Sequence, residues 1–388
     1  MVGWPADEAT GPIQTLIELS DSLKDDFELK FIARDLPFHS QAKEYRSGWA
    51  KRGPHQIYWC RMGRFWPRGF RALLNATPHD ILTLNSIFDR EFTIPALLLR
   101  RFGLIPRKPT LLSPRGEMSD GALSIKSWRK RIYLTLARLL GLYSDVWLHA
   151  TSKGEYDDIR HRIPEARGIF LAPNVRSLPE APRRPDRADD GVTRLIFLGR
   201  ISPVKNLDYA LEVLRSVHVP VVFDIYGPLS DPDYWRACER IVAELPANVS
   251  VSWKGTIPNS SVPDTLAHYD LMFLPTRGEN FGHAIFDALA NGLPVLISDQ
   301  TPWKAMADKN AGWSLPLSEP RRFADTIEAL SRMGNEDRAR LRRGARNVAA
   351  TVIGESDAIN RNREMFQTLL GRHAPEKAVR LGDSEAVA

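Results

Sequence analysis

Two pairs of charged residues have types and spacings that could do chemistry. Arg200 and Lys205 stand five apart in RLIFLGRISPVKNLDYALEVL, where an apolar strand ends at Gly199 and a helix is expected to begin, capped near Asn206. Two cations and a helix N-terminus beyond the carboxyl end of a parallel strand make an anion site, best matched to a diphosphate. Glu279 and Asp287 stand eight apart in TRGENFGHAIFDALANGLPVLISD, around a Phe-Gly turn. With Glu279 in the loop and Asp287 two turns on, they are up to ~12 Å apart at ~1.5 Å of rise per residue. That is too far to share a proton, so the spacing assigns them to opposite ends of one elongated ligand, sugar hydroxyls at one end and a ribose at the other. Gly282 leaves the backbone N–H groups of Phe281 to His283 accessible to an anionic oxygen at the helix start. Each pair alone is compatible with ordinary surface charge, and acids near a helix start are favoured by its dipole. Together they point to a nucleotide-sugar.

The elements that must position these groups are read from periodicity. In the second half, TRLIFLGR, PVVFDIYG, VSVSWKG, DLMFLP and PVLIS read as strands, separated by the helical runs NLDYALEVLRSV, DYWRACERIVAEL, SVPDTLAHY and His283 to Asn291. Gly292 suits the left-handed position past the last of these helices, and Pro294 opens the next strand. The triplet DPD at Asp231 to Asp233 imitates a metal site but follows a turn and opens a helix, where capping accounts for it, so no metal is expected. The first half repeats the alternation: a helix from Gly11, a strand from Phe27 to Ile32, strands in HDILTLNSIF and KPTLLSPRG, and strand, turn and helix in DVWLHATSKGEYDDIRHRI. Only MVGWP and a few polar residues precede the first helix, so the first strand is very short or the chain begins upstream.

Strands alternating with helices imply parallel sheets covered on both faces, with sites at the strands' carboxyl ends. The expected fold is α/β, two doubly wound Rossmann-like domains facing a cleft. The boundaries are an N-terminal domain over 1–175, a Pro-, Arg- and Asp-rich linker over 176–191, a second domain over 192–355, a helix over 356–372 and a disordered tail over 373–388. A chain of 388 residues with 43% apolar and 26% charged residues suits two globular cores. Cys60 and Cys238, far apart and in unlike contexts, read as buried thiols in a reducing cytoplasm. No apolar run reaches the ~20 residues that span a bilayer, and no secretion signal opens the chain.

GRISPVKNLDYAL, IYGP, WKG and PTRGENFGHAIFDALANGLPVLISD together resemble the donor-binding domain of glycosyltransferase family 4, retaining enzymes of the GT-B fold. SPRGEMSDGALSIKSWRKRIY and LHATSKGE extend the likeness to the first half, as in members that build bacterial exopolysaccharide, capsule or O-antigen. The resemblance implies that Glu279, first acid of an E-x7-E motif, contacts the donor sugar, and that Asp287, one methylene shorter than the usual Glu, binds the ribose. It gives Arg200 and Lys205 the diphosphate, with Gly199, Phe281, Gly282 and His283 around the donor. It places Ser113, Arg115 and Gly116 in an N-terminal loop that touches donor or acceptor and in which many relatives carry a His. It also implies that ESDAINRNREMFQTLL crosses back to the first domain. The implied reaction moves a sugar from an NDP-sugar to a hydroxyl of a glycan acceptor, lipid-diphosphate-linked, with retention and without a metal or further cofactor. The alternatives are a nucleotide-sugar epimerase and a basic nucleic-acid- or membrane-binding protein on an α/β scaffold.

The net charge of +6 favours acidic partners. YRSGWAKRGPHQIYWCRMGRFWPRGFR, from Tyr45 to Arg71, interleaves cations with aromatic residues, and IKSWRKRIYLTLARLLGLY reads as a basic amphipathic helix. Such segments suit an anionic membrane surface, preferred here over nucleic acid because the implied acceptor lies there. The chain is thus expected in the cytoplasm, peripheral on the inner face of the plasma membrane.

Overall fold

The computed structural model describes residues 11–34, 48–60, 68–124, 127–180 and 190–371. The expected first strand before Gly11, most of the linker and the C-terminal tail lie outside them. The chain divides into two compact units, Met1–Arg176 with Ser356–Ala388, and Ser177–Glu355.

Among the described residues the first unit holds two sheets. Strands β1 (Lys30–Arg34), β2 (Gly48–Arg52) and β3 (His55–Cys60) run in the order β1-β3-β2. β1 pairs with β3 in parallel, but β2 and β3 are antiparallel, turning at Gly53-Pro54 with Arg52 opposite His55. This corrects one expectation. The hairpin departs from a purely parallel arrangement; it sends Ile57, Trp59 and Cys60 of the cation-and-aromatic run into the core and leaves Lys51, Arg68 and Arg71 exposed. Trp49 is 44% exposed; residues 45–47 and 61–67 of that run lie outside the described set. The first strand also begins at Lys30 rather than Phe27. The Phe27 N–H still closes the preceding turn onto the Leu23 carbonyl at 3.0 Å, and its ring packs 5.5 Å from Phe366.

The second sheet of this unit, β4 (Leu82–Asn85), β5 (Thr110–Ser113), β6 (Trp147–Ala150) and β7 (Gly168–Leu171), is parallel in the order β4-β5-β6-β7. Every residue of β5 and β6 is buried, the pattern of parallel strands covered on both faces. The C-terminal helix Ala358–Leu369 belongs to this unit: Met365, Phe366 and Leu369 pack with Leu19, Leu23, Trp147 and Phe170. Asn362 Nδ2 donates to the Pro173 carbonyl at 2.9 Å, and Arg363 pairs with Asp26 at 2.9 Å. Asp357, at φ 45°, separates this helix from the preceding Asn335–Ser356.

The second unit is one six-stranded parallel sheet, β8 (Thr193–Leu198), β9 (Val221–Tyr226), β10 (Val249–Trp253), β11 (Leu271–Leu274), β12 (Val295–Ser298) and β13 (Gly312–Leu315). Its order is β10-β9-β8-β11-β12-β13. The chain therefore works outward from β8 in one direction and then returns to build outward from β11 in the other. Beyond the carboxyl ends of β8 and β11, connections leave to opposite sides and open a crevice. Arg200 and Lys205 follow β8, and Glu279 follows β11.

Candidate donor-binding site

The geometry begins with a close approach of two backbones. The Gly199 N–H donates to the Tyr226 carbonyl at 2.9 Å, and Gly227 N–H to the Gly255 carbonyl at 2.8 Å. Gly227 has φ 146°, and a Cβ there would lie 1.9 Å from the Gly199 oxygen. Only glycine lets the ends of β8 and β9 meet this closely. Arg200 leaves the sheet at that point, exposed and without an ion pair or side-chain hydrogen bond among the described residues.

The Lys205 stem lies across Gly199, its Cδ and Cε 3.7 Å from where a Cβ would stand. Its ammonium is paired with the Glu279 carboxylate, the two side chains being 17% and 11% exposed. Cation and acid from residues 74 apart are thus brought together in the crevice, an arrangement the sequence did not reveal. Removing one partner of a fully buried pair costs ~3–5 kcal/mol because the other charge stays uncompensated. This pair, with some solvent access, lies below that range.

The loops after β8, β11 and β12 are tied together. Asn206 is the residue before the helix Leu207–Leu214, as expected, but its side chain does not cap it. Asn206 is 1% exposed, donates from Nδ2 to the Pro275 carbonyl at 2.9 Å and accepts from Arg277 Nε at 2.8 Å. Its amide is spent joining two loops, which corrects the capping role. Thr276, fully buried, donates to the Val204 carbonyl at 3.0 Å, and Ser298 Oγ donates to the Thr276 carbonyl at 2.5 Å. The Glu279 N–H reaches the Gln300 carbonyl at 3.3 Å.

Gly282, at φ 79°, precedes the helix His283–Ala290, whose start has no side-chain cap hydrogen bond. A Cβ at Gly282 would come within 3.0 Å of the Trp303 indole nitrogen. That nitrogen donates to the Phe281 carbonyl at 2.5 Å, and the Phe281 ring packs 5.6 Å from Trp303 and 5.0 Å from His283. Trp303, buried at 5% exposure, therefore fixes the approach to the helix start. It was missed because nothing in SDQTPWKAM sets a lone Trp apart from core. Asp287 lies half-buried one turn further along this helix. Gly292 has φ 68°, and Asp231 Oδ1 accepts from Tyr234 N–H at 3.1 Å, so that aspartate caps its helix.

Ser113, Arg115 and Gly116 belong to the first unit, and internal partners take their polar groups. Arg115 Nε donates to Asn85 Oδ1 and Nη1 to Asn174 Oδ1, both at 3.0 Å. Gly116 N–H donates to Glu155 Oε1 at 2.6 Å, while Glu155 Oε2 accepts from Thr151 N–H at 2.8 Å. Ser113 Oγ lies 2.9 Å from His149 Nδ1, and His149 Nε2 lies 2.8 Å from the Ala172 carbonyl. A carbonyl can only accept, so Nε2 carries the proton and Nδ1 accepts from Ser113.

Burial, reinforced by the Arg115 charge, lowers His149 to about 4. The unfolded side chain titrates near ~6.5. Between those values the unfolded chain takes up a proton and the folded chain does not, so stability falls as pH drops from ~6.5 toward 4. His149→Gln, which lacks this titration, should lose about 2–3 kcal/mol less unfolding free energy than wild type between pH 7 and pH 4.5 in the first unit's transition. Equal losses in denaturation curves at the two pH values would contradict a buried neutral His149.

Residues 180–348 match the family described as glycosyl transferases group 1. An uncharacterized 41.2 kDa protein in the cps region of Klebsiella pneumoniae is 22% identical over 299 residues, 74% of this chain and 79% of that protein. Sucrose-phosphate synthase from Thermosynechococcus elongatus superposes with a TM-score of 0.74 at 15% identity, over 95% of this chain and 96% of its own. Alr3699/HepE of Anabaena, solved in complex with UDP and glucose, gives 0.66 at 14% identity, over 95% and 98%. The fold is GT-B. The likeness to the glycosyl transferases group 1 family lies in residues 180–348, within the second unit.

Proposed function

We propose that the second unit binds a nucleoside-diphosphate sugar and that the enzyme transfers the sugar, with retention of anomeric configuration, to a hydroxyl of a glycan acceptor during cell-surface polysaccharide synthesis. The observation that carries this reading is the crevice between β8 and β11. There an exposed guanidinium, an ammonium paired to a carboxylate and an uncapped helix start follow adjacent parallel strands. The cps-region relative and the UDP- and glucose-bound neighbour support the same reading.

Cleavage of the sugar–phosphate bond leaves negative charge on the diphosphate and an oxocarbenium-like sugar. Arg200, Lys205 and the amides at the His283 helix start stabilise that leaving group without a metal, each worth ~2–4 kcal/mol in a closed, dry site. Glu279 lies at the sugar end and holds the Lys205 ammonium in place. Asp287 takes the ribose hydroxyls. The acceptor hydroxyl attacks from the leaving group's face, its oxygen bonding the anomeric carbon as the sugar–phosphate bond breaks, and a diphosphate oxygen receives its proton.

Thermal-shift screening against UDP-, GDP- and ADP-sugars identifies the donor, because a ligand of the folded form raises its melting temperature by mass action. Nuclear magnetic resonance of the product then reports the anomeric configuration. Arg200→Ala should weaken nucleoside-diphosphate binding about 10- to 100-fold, the loss of a charge-assisted contact. Oligonucleotide binding indifferent to every nucleotide, or sugar epimerisation without acceptor, would overturn the proposal.

A further inference from the structure

In the first unit, the helix Ser127–Leu139 turns Tyr133, Leu134 and Ala137 inward and a second apolar stripe outward. Trp128, Ile132, Leu136 and Leu139 are 61%, 51%, 52% and 78% exposed. At about 100° per residue, positions 128, 132, 136 and 139 fall within one quarter of the helix circumference. The stripe continues past the helix end, where the Arg101 guanidinium donates to the Leu140 carbonyl at 2.7 Å and brings up the loop bearing Phe102 and Leu104. These are 64% and 38% exposed. Most of the large exposed apolar side chains among the described residues therefore lie on this helix or on the loop tied to its end. Single exposed apolar residues are ordinary, but a contiguous face is not.

Along the segments that build this face the sequence carries charge of one sign, although Glu165 pairs with Arg138 and Asp145 with Arg100. From Phe92 to Gly116 and from Gly121 to Ser144 the sequence contains Arg and Lys but no Asp or Glu. Arg101, Arg107, Arg129 and Arg131 are exposed, and Arg129 lies over the Trp128 ring at 5.1 Å. Among the described residues no helix is long and apolar enough to cross a membrane. A helix with apolar residues on its outer face, a Trp at its start and exposed arginines along its margin matches the interface of an anionic bilayer: apolar side chains enter the acyl boundary and the cations meet phosphate headgroups.

We propose that this face, formed by the helix Ser127–Leu139 and the loop after Arg101, seats the enzyme on an anionic lipid surface. The anchor is independent of the donor site, so it can fail without the donor assignment failing.

The full chain is mixed with vesicles of phosphatidylcholine alone or with phosphatidylglycerol, at low and high salt, and bound protein is measured by flotation. Wild type should bind the anionic vesicles at least tenfold more tightly than the neutral ones, and less tightly as salt rises. I132E/L136E, at two exposed positions, should lose at least tenfold in anionic-vesicle affinity with an unchanged melting temperature and unchanged nucleoside-diphosphate binding. Trp128→Ala, with no new charge, should lose part of the affinity. Absence of wild-type flotation with anionic vesicles would overturn the proposal. So would undiminished binding by I132E/L136E, or a concentration-dependent dimer that the double substitution abolishes while vesicle binding persists.

Discussion

Glu279→Gln should lower the turnover number about 10²- to 10³-fold while leaving affinity for the nucleoside diphosphate within about threefold. The substitution keeps shape and removes charge. Two consequences follow from the pairing of Glu279 with Lys205. The sugar end loses its carboxylate, and the 17%-exposed ammonium loses its counter-ion, so the melting temperature should also fall. A bound diphosphate supplies replacement negative charge to Lys205, which is why nucleotide affinity survives while transfer does not. Steady-state kinetics and calorimetric titration separate the two. Near-normal turnover would remove Glu279 from the sugar end, and parallel loss of nucleotide affinity would reduce it to a support for Lys205.

Gly227→Ala should be the most damaging of the small substitutions. The added methyl would sit 1.9 Å from the Gly199 oxygen, in a backbone conformation with φ 146° that side chains rarely adopt. Overpacking costs ~1–3 kcal/mol, and the strained backbone adds ~1–2 more, so denaturation should show a loss of about 3 kcal/mol. Relief requires the end of β8 to move, carrying Gly199 and Arg200 with it, so nucleotide affinity should fall as well. Gly255→Ala is the control. Gly255 also has a positive φ, 78°, but a Cβ there meets nothing within 4 Å, so only the backbone cost of ~1 kcal/mol remains. Equal destabilisation by the two substitutions would show that the contact between β8 and β9 is not what Gly227 protects.

Legibility in the sequence followed the range of the forces involved. β8 and β11 of the second unit stood out as short apolar runs ended by Gly199 and Pro275, the pattern that burial on both faces requires, whereas β13, Gly312–Leu315, was not among the strands read. Local chemistry was equally readable: Gly292 occupies its left-handed position and Asp231 caps its helix. What depends on distant partners was not. The pairing of Lys205 with Glu279, the junction of two loops by Asn206 and the brace of Trp303 on Phe281 join residues tens of positions apart. A single chain gives no pattern for such contacts. In the segment from Tyr45 to Arg71 composition suggested a gripping surface, and alternation along β3 divides it: Ile57 and Trp59 turn into the core, while Trp49 and Lys51 stay exposed. The glycine ending IYG was a usable signal for a close backbone approach.

The central claim is that one diphosphate is held by Arg200, Lys205 and the N–H groups at the His283 helix start. A crystal structure with the nucleoside diphosphate found by thermal shift tests it most directly. The phosphate oxygens should lie within ~3 Å of the Arg200 guanidinium, the Lys205 ammonium and at least one of those N–H groups. A nucleotide bound in the second unit with its phosphates away from all three would contradict the account.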